Sequence, residues 1–579
     1  MRFPTLNEIP VSREVQDVFA GLNQNLRING NEFSKMRNMT GDEYPLLSTR
    51  ALRGYGETIY KPGGLITKDA IAVVSGSKII YNGEDIEMEL TDGEKQLVSM
   101  GAYLLIWPDK KWLNTQRISE HGRMEEEWDS TGNTTVTLCK QDGNAYGDYK
   151  ISDRAPEDPK DNDLWMDISG STPALKQYSD SSASWVSIAT VYLKIKSANI
   201  HKGFSQYDGV TISGFTGDLA HLNGSHVLQQ VNEEDGSVVI IGITQGKTYT
   251  EENKISMARK VPDMDYVTEC DNRIWGCKYG VVDGKPVNEI YACKLGDFKN
   301  WNCFQGLSTD SYVASRGSDG VFTGAITHQG HPLFFKEECI EKVYPAANGA
   351  HQIVTTEARG VQKGCWRSLV IVDETLYYKS RADVCAYGGA LPTSVSAALG
   401  ETRYSNARAG AEGGLYYISM QDEAKNWHLF VLDTTNGMWH EEDATQAMMF
   451  TACDGKLWWI DEATNKLVCR ENNGLSAEGA FDWLVETGEI GLDLPENKYI
   501  TNLLVRANLD VGASLRIDVQ YENCAWEKKI EYARSGLKSF NVPVAPHRCD
   551  HLKMRISGNG GCKIYSIGKH LRQGSETMW

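Results

Sequence analysis

A short pattern recurs five times between residues 271 and 470, and it constrains the fold more than any other feature of this chain. Each copy begins with a turn, continues with an apolar run rich in aromatic residues, and ends in a second strand-like run. Successive copies are 59, 43, 39 and 42 residues apart, measured between Ile274, Leu333, Leu376, Leu415 and Leu457. A repeat of about 40 to 50 residues without a helical period is typical of a β-propeller built from four-stranded blades.

Two earlier runs, at 70–74 and 103–107, have the same apolar and aromatic character as the repeated strands. The tripeptide Tyr81-Asn82-Gly83 predicts a type I′ hairpin between them. Five copies and two further runs predict about seven blades, with six or eight as alternatives. Ankyrin, TPR and HEAT repeats are excluded because their helices need a period of about 3.6 residues, which the copies lack.

The repeat is interrupted after residue 115 and resumes near residue 261, and a different strand pattern begins near residue 475. In that last part, Leu515, Ile517 and Val519 alternate with polar residues at period two, which is typical of half-buried antiparallel strands. We therefore predict an all-β chain with an inserted β module and a C-terminal β-sandwich. The predicted boundaries are an extended arm (1–45), first blades (46–115), inserted β modules (116–260), remaining blades (261–474) and the sandwich (475–579).

The composition favours a globular chain that does not grip nucleic acid. The net charge is −18, from 77 acidic and 59 basic residues, so tight phosphate binding over the whole surface is disfavoured. No run of 18 apolar residues and no signal-peptide core are present, and no Cys-x-x-Cys pair occurs among the 13 cysteines. We expect synthesis in a reducing cytoplasm, no membrane span, and cysteines that act as small buried side chains.

Two groups of residues have the chemistry of metal ligands. His547, Cys549 and His551 share one side of an extended segment and suit zinc, but they follow two prolines where polar turn residues are common. The acidic clusters at 125–127 and 158–163 lack EF-hand spacing and are expected to be solvated loops. We therefore expect neither a metal nor a cofactor.

Evidence for catalysis is slight. The stretch SRGSDGVFTG, set on Asp319, misses two positions of the Asp-box of sialidase propellers, because Gly317 and Val321 replace the required serine and glycine. A sialidase also needs three arginines, and Arg316, Arg367 and Arg381 are not singled out by their spacing. We assign no catalytic residue and expect a protein that is not an enzyme, with a propeller glycan hydrolase as the least favoured alternative.

Three aromatic residues of the insertion, Trp165, Tyr178 and Trp185, are candidates for binding glycan. Unlike the aromatic pairs of the repeat, they are not required by the blade pattern. Exposed on one surface, they would offer flat faces with polar edges. The sequence alone also allows them to be core residues of a small sheet.

The chain also resembles a known family. The stretch LGDFKNWN (295–302) after a blade, and the opening GLNQNLRINGNEFSKMRNMTGDEYPLLSTR (21–50), are similar to β-propeller structural proteins of tailed bacteriophage and prophage virions, including tail nozzle, tail hub and DNA-stabilising tail proteins. The stretch LWMDISGSTPALKQYS (164–179) resembles small modules of phage tail fibres that decorate or contact carbohydrate.

The resemblance implies a virion protein made in the bacterial cytoplasm. It implies a multimeric tail component, a ring around the path by which DNA leaves, with neighbouring tail or neck proteins as partners. An acidic lumen would let DNA pass without specific binding, since each Lys or Arg contact to phosphate adds affinity. The alternative is a receptor-binding or glycan-binding tail adhesin built on the propeller.

Overall fold

The computed structural model describes residues 11–492, 498–544 and 548–573. These residues form two compact units: unit 1 comprises the described residues of 11–95, 334–341 and 355–573, and unit 2 comprises 96–333 and 342–354. The fold class is the predicted one: an all-β chain with propeller blades, inserted β modules and a C-terminal β-sandwich. Within the described part of the chain, no helix combines the length and the apolar content that a membrane crossing requires.

Unit 1 contains four complete blades, each a four-stranded antiparallel sheet at its core. Blade 1 consists of Pro62–Lys68, Ala70–Ser75, Lys78–Tyr81 and Glu84–Glu87, and blade 5 of Val370–Val372, Thr375–Lys379, Val384–Tyr387 and Thr393–Ser394. Blade 6 consists of Ser405–Glu412, Leu415–Gln421, Trp427–Asp433 and Met438–Glu441. Blade 7 consists of Ala447–Cys453, Lys456–Asp461, Lys466–Cys469 and Gly54–Thr58, with the short strand Ser476–Ala477 at its edge.

Blade 7 takes its fourth strand from the other end of the chain. Gly54–Thr58 pairs with Lys466–Cys469, although the sequence pattern assigns residues 46–115 to the first blades. Blade 7 then packs on blade 1 through an apolar cluster that includes Ile59, Val73 and Ile460. The two chain segments are thus held together both by a strand ladder and by a shared core.

Unit 2 contains blade 2 and blade 3, which pack on each other around Leu105, Trp107, Ile274 and Trp301. The strands of blade 2 are Gln96–Met100, Tyr103–Trp107, Lys111–Asn114 and His121–Arg123; those of blade 3 are Tyr266–Cys270, Arg273–Val282, Lys285–Ala292 and Tyr312–Ser315. A further sheet, blade 4, has residues in both units; its strands are Gly324–His328, His331–Phe335, Cys339–Tyr344 and Gln352–Glu357.

The repeated pattern marks the turn between the first and second strands of blades 3 to 7. Tight turns there need left-handed backbone, which Asp271 and Asn272 supply with φ of 50° and 61°. The predicted hairpin at Asn82 and Gly83 has the same form, with φ of 51° and 79°. The apolar run after each turn is buried because the second strand has sheet on both sides and neighbouring blades on both faces.

The insertion in unit 2 consists of three sheets. One joins Glu126–Asp129, Gly209–Ser213, Gly224–Val227 and Ser256–Arg259; a second joins Thr134–Cys139, Tyr192–Lys196, Gln230–Asn232, Ser237–Ile241 and Tyr249–Glu251; the third, the platform sheet, joins Tyr149–Ser152, Leu164–Asp167, Ala174–Ser179 and Ser184–Ser187. They share one apolar cluster, which includes Val136, Met166, Leu193 and Ile240. The short 3₁₀ helix Gly217–Leu222 covers one side of it.

The stretch at 295–302 joins blade 3 to this insertion. Asn300 is fully buried and donates to Asp208 Oδ1 over 2.9 Å, while its own side-chain oxygen accepts from Gly209 N over 2.7 Å. Asp208 also pairs with buried Arg259. These polar residues are therefore structural, because they are buried and bonded to one another.

The sandwich in unit 1 has two sheets, and the N-terminal segment contributes strands to both. One sheet joins Val11–Gln16, Met39–Thr40, Leu47–Thr49, Lys498–Leu509, Gly536–Val542, Arg548–Cys549 and Cys562–Gln573; the other joins Phe33–Arg37, Asp482–Thr487, Ser514–Tyr521, Glu527–Tyr532 and Leu552–Asn559. Leu515, Ile517 and Val519 point into its core, as their alternation predicts.

A buried ion network fixes this N-terminal segment, and we call it the arm lock; its members are Asn38, Arg50, Arg53, Glu442, Asp443 and Glu478. Arg50 donates two hydrogen bonds to Glu478, at 2.7 and 3.0 Å, and one to Asn38 Oδ1 at 2.7 Å. Arg53 donates to Glu442 at 2.6 Å and to Asp443 at 2.8 Å. The lock thereby connects the arm, the exit of blade 6 and the start of the sandwich.

Burial and charge together set the protonation of the lock. Burial acts to raise the pKa of Asp443, but Arg53, the Thr445 hydroxyl and Arg50 outweigh it and hold that pKa at about 2. Burial acts to lower the pKa of Arg53, but Asp443 and Glu442 raise it above its ordinary value. Both residues stay charged at neutral pH, so removing either one would take away the other's shortest or second-shortest ion pair.

Candidate functional site

The platform sheet has one face in the core of the insertion and one face outside it. Side chains alternate along a strand, and Met166 and Leu175 point inward, where they are almost fully buried. Their neighbours Trp165 and Lys176 therefore lie on the opposite face. We call that face the aromatic face and define it by Trp165, Lys176, Tyr178 and Trp185, with Asp167 at its edge.

The three aromatic residues predicted from the sequence come together on this face. Tyr178 lies directly opposite Trp185 in the strand ladder, and their ring centroids are 5.4 Å apart at an interplanar angle of 65°. The rings of Trp165 and Trp185 are 5.5 Å apart at 68°. Such edge-to-face contacts stabilise aromatic pairs by about 1 kcal/mol beyond the area that they bury. The cluster is thus preformed, with Trp185 at its centre.

The members of the cluster differ in exposure. Trp165 is 6% exposed, and its indole nitrogen donates to the carbonyl oxygen of Ser152 over 3.1 Å. Tyr178 and Trp185 are half-buried. Trp165 therefore forms the base of the cluster, and the other two rings present the surface that a ligand could contact.

Two charged residues of this face were not identified from the sequence. Lys176 Nζ lies 4.9 Å from the Trp165 ring centroid and 2.8 Å from Asp167 Oδ2. The hydrogen bond from Lys176, followed by those from Ser169, lowers the pKa of Asp167 to about 2. Lys176 stands two residues before Tyr178, so strand alternation was the signal that could have placed it on this face.

The proposed metal ligands are not assembled in the described part of the chain. Cys549 is buried in the sandwich, and His551 Nδ1 contacts the carboxylate of its neighbour Asp550 at 3.0 Å. His547 lies outside the described residues. Within the described ranges, no three His, Cys, Asp or Glu side chains are grouped closely enough to hold a metal ion.

The arginines weighed for a sialidase have structural or surface roles. Arg367 is largely buried, with 9% of its side chain exposed, and donates to Glu94 over 2.6 Å, and Arg381 pairs at the surface with Glu338 over 3.0 Å. Asp319 lies in a loop before blade 4. In the acidic cluster at 125–127, Glu125 accepts from Lys110 over 2.9 Å, so this carboxylate neutralises a lysine.

A charged pocket of about 470 Å³ lies in unit 1 between the turn of blade 4 and the loops beside blade 5. Three arginines and three glutamates line it: Arg359, Arg381, Arg403, Glu337, Glu338 and Glu401. Arg359 pairs with Asp383, and Arg381 with Glu338. Because these charges largely neutralise one another, the pocket selects no single sign of ligand.

No protein-family model matches the chain, and no curated protein matches it either. Among solved structures, an exo-beta-1,3-galactanase from Phanerochaete chrysosporium is similar over 52% of this chain and 94% of its own, with 7% identity and a TM-score of 0.21. A glycoside hydrolase family 43 arabinoxylan arabinofuranohydrolase from Bacillus subtilis has 7% identity over 53% and 95%, with a TM-score of 0.16. The extracellular domain of a putative one component system from B. thetaiotaomicron has 9% identity over 93% and 98%, with a TM-score of 0.26.

These matches correct one expectation from the sequence. We expected a protein that is not an enzyme, but the similar structures include glycoside hydrolases, and that expectation is withdrawn. The physical reason is that a propeller fixes a scaffold, whereas activity depends on the groups placed upon it. At TM-scores of 0.15 to 0.26 the matches assign no activity to this chain.

Proposed function

We propose that this protein binds carbohydrate through the aromatic face and serves as a glycan-binding adhesin of a phage tail, built on a propeller. The observation that carries the proposal is the convergence of Tyr178 and Trp185, both half-buried, around the base formed by Trp165. A sugar ring has an apolar C–H face and polar edges. Aromatic rings suit the former, and hydrogen-bonding groups suit the latter.

The charged pair supports the same proposal. Lys176 and Asp167 stand beside the rings, where an ammonium can donate to sugar hydroxyl groups and a carboxylate can accept from them. Because the rings already contact one another, little side-chain entropy is lost on binding. The resemblance of residues 164–179 to tail-fibre modules that contact carbohydrate supports the choice of ligand.

The test is a glycan array probed with the full chain and with Trp185→Ala. We expect binding to host-envelope glycans by the wild type and a loss of about tenfold in affinity for the variant, since one stacked ring contributes about 1.4 kcal/mol. Trp112→Ala is the matched control, because Trp112 is also half-buried in unit 2 and has the ammonium of Lys299 4.6 Å from its ring centroid.

The control should bind as the wild type does. Equal loss in Trp185→Ala and Trp112→Ala, or an array without signal, would remove the aromatic face as the binding site. Loss of particle adsorption for Trp185→Ala, with the chain still in the particle, would extend the result to the tail.

A second candidate is a structural tail component, a ring of copies through which DNA passes. It rests on the resemblance of residues 21–50 and 295–302 to virion proteins. Both stretches also supply buried groups to the fold, namely Asn38 and Arg50 of the arm lock and Asn300 beside blade 3. Labelling the chain in purified particles tests it: a ring at the tail axis supports this candidate, a peripheral position supports the adhesin, and absence from the particle contradicts both.

A further inference from the structure

Blade 3 of unit 2 carries a second surface that the aromatic face does not use. Six large apolar side chains in this region are more than a third exposed: Tyr279, Val281, Leu295, Phe304, Leu307 and Val313. Isolated exposed apolar residues are common in monomeric proteins, so the two that also line a groove, Phe304 and Val313, are the informative ones.

Part of this surface forms a groove of about 540 Å³, which we call the blade 3 groove. Its apolar lining is supplied by Val261, Val282, Tyr291, Phe304 and Val313. Phe304 is 53% exposed, so its ring is available to a ligand. The groove can therefore take apolar side chains of a partner.

One wall of the groove is an open sheet edge. Tyr312–Ser315 is the last strand of blade 3, and among the described strands its one ladder partner is Lys285–Ala292. Arg316 N donates to Asn288 O over 2.7 Å, and hydrogen-bonded pairs alternate along an antiparallel ladder. The backbone N–H and C=O groups of Val313 and Ser315 therefore point away from the sheet, where a further strand could bind them.

The rim of the groove is acidic. Four carboxylates and two lysines surround it: Glu125, Glu127, Asp263, Asp283, Lys110 and Lys260. Lys110 contacts Glu125 at 2.9 Å and Asp263 at 2.8 Å, so these two carboxylates are paired within the rim, and the four carboxylates exceed the two lysines by two charges. The groove therefore attracts cations and repels anions.

We propose that the blade 3 groove binds an extended peptide segment of a partner protein in which apolar residues alternate with Lys or Arg. The segment would add a strand beside Tyr312–Ser315, place apolar side chains against Phe304 and Val313, and direct basic side chains to Glu127 and Asp283. Main-chain hydrogen bonds supply affinity in this mode of binding, and alternate side chains supply specificity. A second copy fits the rim less well, because each copy has a net charge of −18.

The probe is a fluorescein-labelled octapeptide of alternating Lys and Val, and its control is the same peptide with Glu in place of Lys. Fluorescence anisotropy with the full chain should show that the basic peptide binds at least about tenfold more tightly than the acidic one. Methylating the peptide nitrogens that face Val313 and Ser315 should weaken binding by about tenfold. Methylating the nitrogens of the intervening peptide residues, which point away from this strand, should change binding little.

Phe304→Asp tests the groove, and Leu307→Asp is the matched control. Leu307 is 59% exposed, as accessible as Phe304, but does not line the groove. We expect the former to weaken binding by about tenfold and the latter to leave it within about twofold, with circular dichroism unchanged for both.

Three outcomes would overturn the proposal. They are absence of binding by the basic peptide, equal binding of both peptides, and equal effects of the two substitutions. Self-association of the wild type that Phe304→Asp abolishes would also overturn it, by assigning the groove to a second copy. None of these results depends on glycan binding by the aromatic face.

Discussion

The arm lock and the aromatic face use the same chemical groups for different purposes. In each, a cation lies near an aromatic ring and pairs with a carboxylate: the Arg50 guanidinium is 4.0 Å from the Phe481 ring centroid, and Lys176 Nζ is 4.9 Å from that of Trp165. Burial of the cation distinguishes the two sites. The side chain of Arg50 is 4% exposed and that of Lys176 is 25% exposed, whereas their hydrogen-bonded carboxylates, Glu478 and Asp167, are 16% and 12% exposed.

This difference indicates what each site can do. Groups buried among their own partners have no surface left for a ligand, and removing them lowers the free energy of unfolding. Groups that keep part of their surface in water can exchange that water for a ligand at little structural cost. The following predictions separate a structural site from a binding site on this basis.

The largest effect is expected in the arm lock. Arg53→Met removes the cation closest to buried Glu442 and partly buried Asp443 and leaves them only the longer contacts to Arg50, so the free energy of unfolding should fall by about 3 kcal/mol. Urea denaturation measures it. Arg381→Met is the control, since its pair with Glu338 is exposed and should change stability by less than about 1 kcal/mol. Equal effects would mean that the lock is not structural.

Within the aromatic face, base and surface should respond differently. Trp165→Ala should lower the stability of unit 2 by about 3 kcal/mol, because it opens a cavity and removes one of the two hydrogen bonds that the Ser152 carbonyl accepts. Trp185→Ala should cost less than half of this. Amide hydrogen exchange across residues 149–187 reports both changes in the same molecule. A larger loss of protection in Trp185→Ala would contradict the assignment of base and surface.

Acid should weaken unit 1 through His440. This residue is buried and neutral, and its Nε2 accepts from Gly41 N of the arm over 3.0 Å. Burial lowers the pKa of His440 from 6.5 to about 4, so the unfolded chain takes up a proton first as the pH falls. Stability should therefore drop between pH 6.5 and 4, by at most about 3 kcal/mol.

Asp443 adds a second acid-sensitive range. Its pKa of about 2 in the folded chain lies below the ordinary 3.8, so its contribution is present above pH 3.8 and is lost as the pH falls towards 2. His440→Gln should flatten the upper range of the stability curve and leave the lower one. An unchanged slope between pH 6.5 and 4 in this variant would show that His440 is not the titrating group.

The smallest effect is expected for the charged pair of the aromatic face. Lys176→Met removes the main cause of the low pKa of Asp167, which should move from about 2 towards 3.8. Carboxyl chemical shifts of ¹³C-labelled aspartate follow this titration. The urea midpoint should stay unchanged, because the pair is partly solvated. A low pKa in the variant would assign the shift to Ser169 instead.

The sequence predicted what is local and repeated. The blade turns and their aromatic second strands recur at blade spacing, and Trp165, Tyr178 and Trp185 stood apart from that pattern. Pairings between distant segments could not be predicted, since no period relates Gly54–Thr58 to Lys466–Cys469 or Arg53 to Glu442. The expectation that the protein is not an enzyme was wrong for a related reason, because strand patterns do not specify which groups a scaffold carries.

One measurement tests most directly whether the aromatic face binds a ligand while the arm lock is structural. It compares the affinity of the wild type and of Trp185→Ala for one glycan selected from the array, by titration calorimetry, together with the urea midpoints of both proteins. We expect an affinity about tenfold lower in the variant, with a midpoint close to that of the wild type. Equal affinities, or a loss of affinity that merely follows a loss of stability, would contradict it.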